Sequence, residues 1–278
     1  MDHQLRITFA EAGVYFGRAP RAGWPDIGRL VGAGHSKEAI REKTGCTVAL
    51  SQIGLTIEPG EMFVVMGQSG SGKSTLLRLI NRLVQATVGT VRVGDTDVSL
   101  LSEPELLEFR RRFTGMVFQH FGLLPHRTVA DNVAFPLRVQ GAAAKEAREK
   151  AGAWIERVGL GGYQTAMPSE LSGGMQQRVG LARALITGAP ILLMDEPLGA
   201  LDPVTRQDLQ KELKSLQREL GKTVVLITHD PLEAFALADR IAMLREGRLV
   251  QLATPEEMAK APADDQVAAF VAASRRLP

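Results

Sequence analysis

The sequence lacks the features that mark several large classes of proteins. It contains one cysteine, Cys46, which permits neither an internal disulfide nor a cysteine-rich zinc site, so a reducing cytoplasm is expected. No apolar run approaches the roughly 20 residues that cross a bilayer, and no cationic stretch leads into an apolar one at the start. We therefore expect neither a secretory signal nor a membrane-spanning chain.

Charge of one sign is also scarce. The 33 basic and 31 acidic residues leave a net charge of +2, which is too small to indicate nucleic acid or a membrane surface as a partner. What is present is 45% apolar and 23% charged residues, the balance of a globular protein with a sizeable core. This composition excludes a disordered chain, a collagen-like repeat and a disulfide scaffold.

Short apolar runs alternate with segments that suit helices. Met62–Met66, Ile191–Met194 and Val224–Ile227 have the length of buried strands, and helix-compatible residues follow each of them. Residues 87–98 alternate and turn at Gly94-Asp95, which predicts a small antiparallel piece. The sequence thus predicts an α/β fold with a mostly parallel sheet.

We expect one domain over residues 1–278. Residues 18–45 resemble an insertion in which Ser36–Lys43 is predicted to be helical. Residues from about 120 to 188 are predicted to form an inserted helical subdomain. Residues 254–278 form a short Ala-rich helical tail, too few for another domain. Arg110–Arg112, the one basic run, is interpreted as a solvated helix face.

A glycine-rich segment follows the first apolar run and matches the P-loop pattern G-x-x-x-x-G-K-[ST]. Its glycines let backbone N–H groups face phosphate oxygens at a helix N-terminus. Lys73 would reach the β- and γ-phosphates, Ser74 would hold Mg²⁺ and Thr75 would lie near the α-phosphate. The alternative is a glycine-rich turn without a ligand. The segment comprises Gly67, Gln68, Ser69, Gly70, Ser71, Gly72, Lys73, Ser74 and Thr75.

Two carboxylates end the second apolar run. Asp195 is placed to hold the Mg²⁺ of a P-loop nucleotide, and Glu196 to orient or deprotonate an attacking water. Both could instead cap the following turn. Together with the P-loop, the pair favours hydrolysis over transfer to a second substrate.

A second anion-binding pattern lies about 100 residues after the first. A serine and two glycines stand at the start of a predicted helix, in the segment Leu171, Ser172, Gly173 and Gly174. One nucleotide does not need two helix N-termini for the same phosphates, so a head-to-tail dimer that closes this element on the partner's nucleotide is expected. The alternative is an ordinary serine-capped helix.

These motifs, with Gln119, Leu201-Asp202 and His229, occur in the order of an ABC-transporter ATP-binding subunit, and the resemblance covers nearly the whole chain. It implies ATP and Mg²⁺ as cofactors and a homodimer in which residues 172–174 contact the partner's γ-phosphate. Leu171 and Asp202 then belong to the nucleotide site. Gln119 would contact Mg²⁺ and the attacking water and signal to a membrane permease. His229 would contact the γ-phosphate.

The family commonly stacks an aromatic ring on adenine. Val14-Tyr15-Phe16-Gly17 resembles that element, displaced by the 18–45 insertion. Phe16 is the predicted adenine-stacking residue, with Tyr15 as its rival and Trp24 as a more distant third.

Three segments narrow the resemblance to glycine betaine/proline importers: residues 36–47, Asn81–Leu83 and Gly180–Arg183. The resemblance implies an ATPase at the cytoplasmic face of the membrane, working with a multi-span permease and, indirectly, an extracytoplasmic substrate-binding protein. An amino-acid importer and a soluble ABC-type switch remain alternatives. Two departures from the family pattern are expected: no paired CBS domains, which many such subunits carry, and Gly199 where serine is more usual.

Overall fold

The computed structural model describes residues 5–17, 24–119 and 122–274, without the side chains of residues 24–26. Within it the chain divides into two compact units. Unit 1 comprises Met1–Leu106 and His229–Pro278, and unit 2 comprises Leu107–Thr228. The prediction of one domain over the whole chain stays a prediction.

Strands and helices alternate along the described chain. The strands are β1 (Ile7–Gly17), β2 (Cys46–Ile57), β3 (Met62–Met66), β4 (Val88–Val93), β5 (Thr96–Asp97), β6 (Thr114–Val117), β7 (Ile191–Asp195), β8 (Thr223–Ile227), β9 (Arg240–Arg245) and β10 (Arg248–Ala253). The helices are α1 (Trp24–Gly32), α2 (Lys37–Thr44), α3 (Lys73–Ile80), α4 (Glu103–Phe113), α5 (Val129–Val139), α6 (Ala144–Arg157), α7 (Gly173–Leu185), α8 (Pro203–Leu220), α9 (Pro231–Leu237), α10 (Pro255–Lys260) and α11 (Asp265–Ser274).

Unit 1 contains an antiparallel sheet in the order β2-β1-β4-β5 and a run in the order β10-β9-β3. In that run β3 pairs in parallel with β9, and β10 returns antiparallel to β9. All five side chains of β3 are buried, as expected for a strand covered on both faces.

Unit 2 contains three strands in the order β8-β7-β6, paired in parallel. Its helices α5, α6 and α7 share an apolar core that includes Val133, Ile155 and Val179, each fully buried. Asp202 caps α8 by accepting from the N–H groups of Val204 and Thr205, and Pro203 occupies the first turn. The apolar stripe of α6 faces this core, and Glu146 and Lys150 pair at 2.8 Å on its exposed side.

The α/β fold class and the mostly parallel strands are confirmed. The turn at Gly94-Asp95 lies between β4 and β5 as predicted, but the antiparallel part is larger than residues 87–98. The long strands β1 and β2 pair with each other and complete that sheet. No described helix has both the length and the apolarity needed to cross a membrane.

Candidate nucleotide site

The phosphate-binding candidate is the loop between β3 and α3 in unit 1. Gly67, Gly70 and Gly72 all have positive φ, which glycine adopts without strain. A side chain at Gly67 would collide with the carbonyl of Leu244, and one at Gly72 would lie 2.7 Å from the Ala49 carbonyl. All three positions therefore favour glycine by backbone conformation, and Gly67 and Gly72 are also required by close neighbours.

Lys73 begins α3 beneath this loop. Its ammonium group donates to the carbonyl oxygens of Gly67 at 2.9 Å and Gln68 at 3.1 Å, and its side chain is buried. Ser74 and Thr75 follow in the first turn, half-buried, while Gln68 to Gly70 are exposed. The loop thus presents backbone N–H groups and a cation at a helix N-terminus, which suits a polyphosphate.

The catalytic candidates of unit 2 lie at the end of β7. Asp195 is buried, and Glu196 follows with φ of 46°, a left-handed conformation that is strained for a residue with a side chain. The Glu196 N–H donates to the Ile227 carbonyl at 3.1 Å. The Gln119 amide donates from Nε2 to Glu196 Oε2 at 3.2 Å. Residues 77 positions apart are therefore brought into direct contact.

The second anion-binding pattern, residues 171–174, lies at the start of α7 in unit 2 and is called the signature element below. Ser172 is the N-cap and accepts from the Met175 N–H at 3.3 Å, while Ser172 and Gly173 are exposed. A side chain at Gly174 would lie 2.6 Å from Cγ2 of Thr205, so the second glycine is a packing requirement. Leu171 is buried in the helical core. The arrangement leaves an exposed helix N-terminus that can receive an anion.

Three further predicted residues lie at exposed positions. Asp202 caps α8, and hydrogen bonds from Thr205 lower the pKa of its carboxyl group. This capping explains Asp202 structurally, and its nucleotide role stays a prediction. His229 follows Thr228 at an exposed position in unit 1, and Phe16 is 49% exposed near the end of β1.

Of the two alternatives to Phe16, the structure describes the side chain of Tyr15 but not that of Trp24. Tyr15 is only 6% exposed and packs in an apolar cluster, so its ring has no free face to offer a base. The side chain of Trp24 lies outside the described residues. Phe16 lines a surface depression with Leu83 and Thr87, which suits a stacking platform.

A groove of about 400 Å³ opens on unit 2 beside Gln119, and nothing in the sequence motifs indicated it. Its apolar lining includes Phe118, Leu124, Phe135 and Val139, and its basic lining is Arg110, Arg111 and Arg183. The prediction of a solvated face for Arg110–Arg112 was wrong for two of the three residues. Arg110 and Arg111 are half-buried, because the final turn of α4 faces the groove, and only Arg112 is exposed.

The residues present fit ATP and Mg²⁺. The loop combines glycines at positive φ, an exposed stretch from Gln68 to Gly70 and the Lys73 ammonium group against its carbonyls, which suits phosphate binding. Ser74 in unit 1, and Asp195 and Gln119 in unit 2, each carry a hard oxygen donor of the kind that Mg²⁺ prefers.

Comparison with known proteins agrees with this chemistry. The model of the ABC transporter family matches residues 50–199. The chain belongs to the ABC transporter family. Within this family it is similar to the glycine betaine/proline betaine transport system ATP-binding protein ProV of Salmonella typhimurium, with 49% identity over 255 residues, which are 92% of this chain and 63% of ProV.

Two further similarities bear on cargo and assembly. The trimethylamine N-oxide transport system ATP-binding protein TmoW of Pelagibacter ubique is 47% identical over 229 residues, 82% of this chain and 67% of TmoW. A dimeric post-hydrolysis structure of the ATP-binding cassette MJ0796 bound to ADP and Pi has a TM-score of 0.74 and 32% identity, covering 89% of this chain and 98% of that one. The chain spans about 60% of the length of several curated relatives. For example, the matched residues cover 61% of the length of a Listeria monocytogenes subunit.

Proposed function

We propose that this chain binds and hydrolyses ATP to power an ABC importer for a glycine betaine-, proline- or choline-type osmoprotectant. The observation that carries the proposal is the hydrogen bond between Gln119 and Glu196, beside an arginine-lined groove. This hydrogen bond connects Glu196, the proposed catalytic base, to the chain segment beside the groove, whose surface suits a partner. The identity with ProV over 92% of the chain supports the cargo class.

The chain's own groups would divide the reaction as follows. Lys73 and the loop N–H groups hold the β- and γ-phosphates, and Phe16 stacks on adenine. Glu196 accepts a proton from the attacking water, which Gln119 orients, and His229 contacts the γ-phosphate. Mg²⁺, held by Ser74, Asp195 and Gln119, would neutralise charge on the phosphates when bound.

We further propose a head-to-tail homodimer. The exposed start of α7 at Ser172 and Gly173 would close on the γ-phosphate of the partner's ATP, which gives two equivalent sites. The similarity to the MJ0796 cassette, which is dimeric in its post-hydrolysis structure, supports this assembly. ATP would then drive closure of the dimer, and hydrolysis would reopen it.

The groove of unit 2 is proposed to receive a cytoplasmic segment of the permease. Its apolar floor suits a short amphipathic helix, and Arg110, Arg111 and Arg183 would pair with carboxylates on that helix. The chain would therefore lie peripherally at the cytoplasmic face of the membrane, and the extracytoplasmic substrate-binding protein would contact only the permease.

The test begins by isolating the complex. A tagged Glu196→Gln chain with ATP is used to capture partners from detergent-solubilised membranes of its own source, and mass spectrometry identifies them. The wild-type chain and the captured permease are then placed in vesicles, and uptake of glycine betaine, proline, choline, trimethylamine N-oxide and methionine is measured. ATP-driven uptake of a methylated amine or proline is expected, and a Ser172→Arg chain should give none.

Other outcomes would change the proposal. Uptake of methionine alone would retain the importer and replace the cargo by an amino acid. Recovery of ribosomal or DNA-associated proteins without a multi-span permease would contradict the importer and favour a soluble switch ATPase.

A further inference from the structure

Residues 24–45 form two helices, α1 and α2, to which the proposed ATPase cycle assigns no role. They are a folded part of unit 1, because three of their apolar side chains are almost completely buried in one cluster with side chains of β1 and β2. The cluster consists of Ile27, Val31 and Ile40 from the helices and Tyr15, Cys46 and Val48 from the strands. Such a cluster fixes the position of both helices on the sheet.

One contact of these helices lies next to the proposed adenine-stacking residue. Tyr15 is buried beneath them, and a methyl group placed on Gly28 of α1 would lie 3.9 Å from the Tyr15 hydroxyl. Successive side chains of a strand point to opposite faces. By holding Tyr15 inside the cluster, the helices therefore fix the exposed orientation of Phe16.

A second contact lies behind the phosphate-binding loop, at the turn Glu246-Gly247 between β9 and β10. The Gly247 N–H donates to the Ser71 carbonyl of the loop at 2.9 Å. The Gly247 carbonyl accepts from the Ser51 N–H at 2.8 Å. A side chain at Gly247 would lie 2.5 Å from the Ala49 carbonyl, so the turn fits tightly between β2 and the loop.

The helices hold this same turn. The Arg248 guanidinium donates from Nη2 to the Val31 carbonyl, in the last turn of α1, at 2.7 Å. Burial lowers the pKa of the Lys37 ammonium group at the start of α2, and the Glu246 carboxylate of the turn opposes this shift. Lys37 and Glu246 also line a cavity of about 270 Å³ whose other wall includes residues 67–71 of the loop.

We propose that α1 and α2 are a positioning element for ATP. They set the phosphate-binding loop through the turn at Glu246-Gly247, and they set the Phe16 ring through Tyr15. The two ends of one nucleotide would thus depend on one inserted segment. This inference rests on the proposed function, since it takes residues 67–75 and Phe16 as the ATP site.

The test uses the full chain and compares two ligands. Binding of ATP and of tripolyphosphate, which has no adenine, is measured by competition with a fluorescent ATP analogue. Ile40→Ala loosens α2, and Arg248→Met removes the hydrogen bond to Val31. Ile155→Ala, at an equally buried position in the core of unit 2, is the matched control for lost stability.

We expect different patterns for the two variants. Arg248→Met should weaken the binding of ATP and of tripolyphosphate by the same factor, about threefold, since only the phosphate-binding loop loses support. Ile40→Ala should weaken the binding of ATP about tenfold and that of tripolyphosphate less, since both the phosphate-binding loop and the Phe16 ring lose support. Arg248→Lys keeps a donor and should recover part of the loss. The KM for ATP should rise in both variants, with kcat at saturating ATP within about twofold of the parent.

Two failures are distinguishable. A parent chain that binds no ATP would contradict the proposed function itself. A parent chain that binds ATP, with Ile40→Ala and Arg248→Met both indistinguishable from Ile155→Ala, would overturn the positioning role alone. Because Arg248 is an exposed residue, its variant is expected to fold even if Ile40→Ala does not.

Discussion

At the scale of single residues, Glu196 has two properties that are uncommon in a glutamate. Its backbone is in the left-handed region, and its carboxylate accepts a hydrogen bond from Gln119 at 3.2 Å. A left-handed conformation in a residue with a side chain costs about 1–3 kcal/mol and persists where the surroundings enforce it. Here the Ile227 carbonyl holds the Glu196 N–H in place, and together with the hydrogen bond from Gln119 this fixes the position of the carboxylate.

We expect Glu196→Gln to lower the turnover of ATP at least about 100-fold, because an amide cannot accept the proton that a carboxylate accepts. ATP binding should be retained, since the P-loop and Phe16 are unchanged. Hydrolysis is measured by phosphate release and binding by a fluorescent ATP analogue. Glu149→Gln, at an exposed position of α6, is the control. Turnover by Glu196→Gln at the parental rate would exclude Glu196 as the base.

At the scale of elements, the start of α5 determines the path of the chain after Gln119. Asn132 is fully buried, and its Oδ1 accepts from the Leu124 N–H at 2.7 Å. Its Nδ2 lies within hydrogen-bonding distance of the carbonyls of Leu124, Arg127 and Thr128. From α7, Arg183 donates to the Gly122 carbonyl at 2.7 Å. The segment that lines the groove is thereby held by two helices.

Replacing Asn132 by alanine should lower the free energy of unfolding by about 2–4 kcal/mol, because the partly buried Leu124 N–H and Arg127 carbonyl lose the hydrogen bonds that this side chain provides. Urea denaturation measures this loss. Asp131→Ala, one residue earlier, removes a partly exposed ion pair with Arg148 and a carboxylate in the first turn of α5, and should cost about 1 kcal/mol or less. Equal losses for the two variants would show that the buried amide does not hold the loop.

The sequence was informative where one physical requirement decides the residue. The glycine-rich loop between a buried strand and a helix, and the start of α8 at Asp202, could be predicted because such loops and helix starts need those residue types locally. The size of the antiparallel sheet could not be predicted, because the pairing of β1 with β2 joins segments that the inserted helices separate. The groove was missed for a similar reason: Arg110 and Phe135 come together only through the packing of α4 and α5.

At the scale of the whole molecule, each chain presents two helix starts that we propose bind the phosphates of ATP. The phosphate-binding loop precedes α3 in unit 1, and the signature element precedes α7 in unit 2. Ser172 and Gly173 are exposed at the start of α7, which fits the proposed closure on a ligand held by another chain. A two-fold dimer uses both starts in both chains, whereas a monomer leaves the second one without a phosphate.

This assembly predicts that ATP changes the mass of the particle. Glu196→Gln with ATP should elute as a dimer of two 30.1 kDa chains, and without nucleotide as a monomer, because binding to the closed state alone shifts the equilibrium toward it. Adding Ser172→Arg places a bulky cation at the start of α7 and should keep the chain monomeric, while its affinity for ATP stays within about twofold of the parent. Light scattering coupled to gel filtration measures both masses. An ATP-dependent dimer that Ser172→Arg leaves intact would show that the chains associate through another surface, since the start of α7 could not then lie against the partner's phosphate.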